Sequence, residues 1–153
     1  MNTEERLIKG MEIAAKRGSQ YNIEVLNEEI VPTLMILTGN DRIELAHILV
    51  ESEDMADALK EFLLEKQAKA YALILEAWQT SFIEEASKYG GRVRDMPLDD
   101  RFEVANITTV SRLDGIKKSY SSRIRTSPTS GKRQLQSWTE NSLELAQKCV
   151  IDW

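Results

Sequence analysis

The chain reads as an α+β domain in two layers, built on a five-stranded, mainly antiparallel sheet with the element order α-β-β-α-β-β-β-α. Three observations predict it. Two β-rich runs flank Gly39-Asn40-Asp41, an acid-started amphipathic helix and an apolar strand follow before Phe82, and a second pair of β-rich runs flanks Leu113-Asp114-Gly115. A chain of 153 residues fits one domain, and 42% hydrophobic with 29% charged residues is a globular composition that needs no disulfide staple.

The first helix opens at Asn2 or Thr3, with Glu4 and Glu5 at the positive end of the helix dipole. Leu7, Met11, Ala14 and Ala15 form its stripe, and Lys16-Arg17-Gly18 suits a left-handed C-cap. Residues 19–32 mix signals of a short strand (Tyr21, Ile23, Val25, Leu26) and an irregular approach to the sheet, and Pro32 bars a helix. Thr33 to Thr38 is a near-continuous apolar run, as in a strand covered on both faces. Ile43, Leu45 and His47 alternate with Arg42, Glu44 and Ala46, the pattern of a half-exposed partner strand.

A second helix spans 53–67 behind Ser52, with Met55, Leu59, Phe62 and Leu63 as the stripe that one sheet face buries. Tyr71 to Trp78 is a covered strand interrupted only by Glu76. Gly90, Gly91, Pro97 and several acids mark residues 83–100 as a mobile connector, and 125–136 as a second mobile segment around the loop 127–133. Strands follow over 102–112 and 116–126, with Tyr120 and Ile124 inward. Ser137 and Glu140 have capping-box spacing for a last helix carrying Leu143, Ala146, Cys149 and Val150.

Charge and composition exclude several functions. No run approaches the ~18 apolar residues of a membrane span, and the polar, acidic N-terminus does not read as a signal peptide. A single Cys149 closes no intramolecular disulfide, so a reducing, cytoplasmic setting is the expectation. Residues 1–88 carry 17 acids against 9 bases, and residues 89–153 carry 8 against 11, so only the second half can attract a polyanion. Its basic run, Lys117, Lys118, Arg123, Arg125, Lys132 and Arg133, lies near Tyr120 and Trp138. A solvated, charge-protected strand edge explains it better than a nucleic-acid surface.

His47 is the only histidine, which removes paired-histidine metalloprotease chemistry of the JAB/MPN type and leaves any nucleophile pair to this one residue. Cys149 lies on an apolar stripe and reads as a core cysteine. Gly90-Gly91 and Ser130-Gly131-Lys132 lack Walker spacing. Asp95, Asp99, Asp100 and Glu103 could gather as an acid/base pair or a hard-cation site, though without EF-hand spacing, and solvated loop positions explain them more simply. Glu76, inside an apolar strand, must be paired, protonated, at a cavity or at a strand end in water.

Leu75-Glu76-Ala77-Trp78, the connector Met96 to Val104 and the turn Leu113-Asp114-Gly115 resemble a loose group of small prokaryotic and phage proteins without assigned activity. In that group a helix, a strand and Glu-Ala-Trp precede a Pro-Asp-Arg-Glu-Val connector; here Phe102 interrupts the Arg-Glu pair. The element order also resembles the roadblock and profilin-like scaffold of dimeric adaptor proteins, an analogy of fold.

The expectation for function is a non-enzymatic protein-interaction or small-ligand-binding domain acting as a homodimer, with no cofactor, metal or membrane partner. Trp78, Phe82, Trp138 and Trp153, near element ends, are the expected interface anchors. The alternatives are a carboxylate- or metal-dependent enzyme using Glu76, Asp99, Asp100 and Glu103, and nucleic-acid binding through 115–133.

Overall fold

A computed structural model describes residues 2–48, 52–142, 151 and 153. Helix α1 (Thr3–Gln20) begins where the side chain of Asn2 accepts the N–H of Glu5 at 2.8 Å. It runs past Gly18, whose expected left-handed cap does not form, into a π-helical turn over Tyr21–Val25. The chain leaves that turn through Asn27, at φ 52°, and residues 19–32 hold no strand.

Strands β1 (Thr33–Leu37) and β2 (Ile43–His47) form the expected hairpin. Asp41, not Gly39, takes the positive φ (59°) of its turn. Gly39 instead sits in close approach: a Cβ there would meet Gln67, just past helix α2 (Ser52–Glu65), at 3.2 Å, tighter than an ordinary contact. Strand β3 (Ala70–Gln79) follows, then a short helix α3 (Ile83–Ser87) and two 3-10 turns over 93–95 and 98–100 where a connector was expected. Strands β4 (Phe102–Ser111) and β5 (Lys117–Thr126) complete the five expected strands.

The sheet has seven strands, not five. Strand β6 (Arg133–Leu135) pairs with β5 across the loop, and β7 (Thr139–Glu140) pairs with β5 at Ser121 and Tyr120, so the expected capping-box residue Glu140 lies in a strand. Short polar strands carry too little periodicity to be read alone; pairing to β5 makes them. The remainder of the expected last helix, including Cys149, lies outside the described residues. The order is β2-β1-β3-β4-β5-β6, every pairing antiparallel, with β7 also on β5.

Two apolar clusters lie on opposite sheet faces, which corrects the expectation that a single face is covered by a helix. Met11 and Ala15 of α1 pack with Met35, Leu37, Ala72, Ile74, Ile107 and Ile124. Leu59 and Leu63 of α2 pack with Leu34, Ile36, Tyr71, Leu73 and Val110. Alternation along β1 and β3 forces the split, since successive side chains leave opposite faces. At about 25 cal/mol per Å² of apolar surface, both faces contribute hydrophobic stabilisation.

Candidate functional site

The functional geometry lies at the two edges of the sheet. On β2, Thr38 N–H donates to Arg42 O and Ile48 N–H to Pro32 O, both at 2.8 Å. Antiparallel ladders alternate, so even-numbered residues of β2 turn their backbone to β1, while Ile43, Leu45 and His47 turn theirs outward. Among the described residues nothing bonds to those outward groups. The side chains there are apolar too: Leu45 is 67% exposed and Ile43 43%. The strand is half-exposed as its pattern predicts, and the more covered side is Glu44 and Ala46. Helix α1 packs mainly on β3, β4 and β1, and Ile43 and Leu45 of β2 stay in solvent.

The opposite edge is finished. Gln136 N–H donates to Arg123 O (3.0 Å) and Ser127 N–H to Lys132 O (2.8 Å), so Arg133 and Leu135 of β6 turn outward. Arg133 N–H donates to Asn27 Oδ1 at 3.1 Å and Leu135 N–H to Glu24 Oε2 at 3.2 Å. The segment after α1 therefore serves as a side-chain cap for the sheet.

Glu76 belongs to this closed edge. Its Oε1 accepts the N–H of Ile30 and its Oε2 accepts Arg133 Nη2, each at 2.9 Å. Arg133 Nη1 donates to Glu28 O at 3.1 Å, and Glu103 Oε2 lies 3.6 Å from Nη2. Of the sequence-stated options for a carboxylate in an apolar strand, pairing is the one adopted, and both oxygens serve to tie the 27–30 segment and β6 to β3.

The structure brings Glu76, Glu103 and Arg133 together and separates the rest. Asp99 and Asp100 sit in a 3-10 turn, where Asp100 contributes its backbone carbonyl to Thr80 Oγ1. Among the described residues no three His, Cys, Asp or Glu side chains gather as a metal site. The basic run is divided by the alternation of β5: Lys117, Arg123 and Arg125 leave one face and Lys118 the other, while Lys132 lies in the loop and Arg133 is paired.

The expected aromatic anchors are also dispersed. Trp78 lies under the Arg101 guanidinium at 4.1 Å, and Phe82 is exposed before α3. Trp138 packs against the α1-side cluster, whereas Trp153 packs on the α2 side, with its ring 5.2 Å from Tyr71 and its Nε1 donating to Ala68 O at 2.8 Å.

Two polar features were missed from sequence. Asn106 Nδ2 donates to Ser121 Oγ at 3.2 Å, Thr108 Oγ1 to Asn106 Oδ1 at 3.3 Å, and Asn141 Nδ2 to both Ser119 and Ser121 Oγ at 2.8 Å. The alternation Asn106-Thr108 opposite Ser119-Ser121 was its only sequence signal. Beside α1, burial pushes the Tyr120 hydroxyl above its usual range, reinforced by Glu12. Burial would raise Glu12 as well, but hydrogen bonds from Lys16 and Tyr120 outweigh it and hold the carboxyl below its ordinary 4.5.

No family model, curated protein or solved structure matches the chain. No helix among the described residues is long and apolar enough to cross a membrane.

Proposed function

We propose that the protein is a non-enzymatic interaction domain that works as a cytoplasmic homodimer through the β2 edge. The open row of Ile43, Leu45 and His47 carries this reading, because it combines outward backbone donors and acceptors with exposed apolar side chains. One antiparallel two-fold register pairs all three residues: Leu45 opposite Leu45 of the second copy, and Ile43 opposite His47. Each then exchanges both backbone hydrogen bonds, and the sheet becomes continuous across the dimer.

Charge is compatible with that register. Glu44, already 3.3 Å from Lys66, falls opposite Ala46 rather than another acid. The engagement of both Glu76 oxygens in structural bonds supports a binding role over a catalytic one. Light scattering tests the reading: a dimer mass at tens of micromolar is expected, with Leu45→Lys reverting to monomer, and a monomeric wild type overturns it.

A further inference from the structure

We infer a second binding site, for a small oxyanion-bearing ligand, in the cleft where β4 and β5 diverge. Their pairing ends at Val104↔Arg123, and beyond it an open cleft of about 330 Å³ is lined by Arg101, Phe102, Glu103, Arg123, Ile124 and Arg125. That volume falls at the small end of the roughly 300–1,000 Å³ typical of ligand pockets.

Arg101, Arg123 and Arg125 all border the cleft; alternation puts Arg123 and Arg125 on one face with Phe102, while the Arg101 guanidinium is stacked on Trp78 on the other, and among the described residues no carboxylate lies within 4.0 Å of any of the three. The one acid in the wall, Glu103, is turned to Arg133. Two of the arginines rest on aromatic faces, Arg123 over Phe102 at 4.6 Å and Arg101 over Trp78 at 4.1 Å. For Arg123, stacking holds the guanidinium plane while leaving its N–H edge available to donate, which is the geometry that binds phosphate or carboxylate bidentately. Arg101 is further held by Nη1 donating to Arg94 O, and its Nε is a buried donor without an acceptor among the described residues. A polyanionic strand fits less well, since the remaining bases of β5, Lys117 and Lys118, lie at the far end of the strand and on opposite faces.

Phosphate monoesters and carboxylates share this chemistry, and amide chemical-shift titrations with inorganic phosphate and with acetate separate them. Saturable shifts confined to Arg101–Glu103 and Arg123–Thr126 are expected with at least one probe, at a Kd of roughly 1 mM or below. Arg123→Gln should weaken binding about tenfold and Arg125→Gln several-fold, through loss of the planar fork, while Lys118→Gln should change it less than about twofold. The tighter probe names the ligand class. Absence of saturation with both probes, or an equal loss with Lys118→Gln, overturns the site; a short single-stranded RNA that binds with Lys118 as important as Arg123 overturns it in favour of a nucleic-acid face.

Discussion

At the β6 edge, the outward N–H groups of Arg133 and Leu135 are taken up by Asn27 and Glu24, whereas at the β2 edge the corresponding groups of Ile43, Leu45 and His47 meet no acceptor among the described residues. The side chains differ in the same sense. Arg133 is drawn inward to Glu76, while Leu45 projects into solvent. An open edge is a template for another strand, and proteins that do not use one normally blunt it with charge, a bulge or a covering loop. Among the described residues one edge is covered and the other stays open beside exposed Ile43 and Leu45, and it is this asymmetry that the proposed dimer would use.

The largest expected effect comes from breaking the closed edge. Arg133→Met leaves Glu76 without its cation and unlatches β6 from the 27–30 segment, and a loss of about 3 kcal/mol is expected by urea denaturation. The pair is partly solvated, at 12% and 19% side-chain exposure, so the effect belongs at the lower end of buried-pair losses. Removing one cap is milder: Asn27→Ala should cost about 1 kcal/mol, and should make β6 available as a second, concentration-dependent association site detectable by light scattering. At the open edge the balance reverses. Leu45→Lys should change unfolding free energy of the isolated chain by less than about 0.5 kcal/mol and yet abolish the dimer, separating association from folding.

A smaller effect lies beside α1 and sharpens the contrast by touching neither edge. Glu12 is depressed below its value in the unfolded chain, so its contribution is present above pH 4.5 and disappears as pH falls through its folded value. Glu12→Gln should therefore flatten part of the acid limb of the stability profile, leaving the neutral-pH dimer mass unchanged.

How far the sequence discloses these features follows from where the signal resides. The five long strands and α2 were legible because apolar periodicity and the turns at Gly39-Asn40-Asp41 and Leu113-Asp114-Gly115 are local. Which side of β2 is covered was not, because the exposure of Ile43 and Leu45 depends on what packs over that edge from elsewhere in the chain. Glu76 was recognised as anomalous, but its partner is Arg133, 57 residues away, and the π-helical turn that carries Glu24, with Asn27 just beyond it, lies where the sequence left a short strand and an irregular approach both open. The capped edge and the arginine cleft alike depend on long-range placement of β6 and on the point where β4 and β5 part, which no local pattern encodes.

Residue-resolved amide hydrogen exchange across a protein dilution series tests the central claim most directly, because it reads the outward backbone groups themselves. Self-pairing at β2 predicts that the amides of Ile43, Leu45 and His47 are protected at high concentration and lose that protection on dilution, while Glu44 and Ala46, bonded to β1, stay protected throughout. Fast exchange at residues 43, 45 and 47 that does not vary with concentration would contradict it.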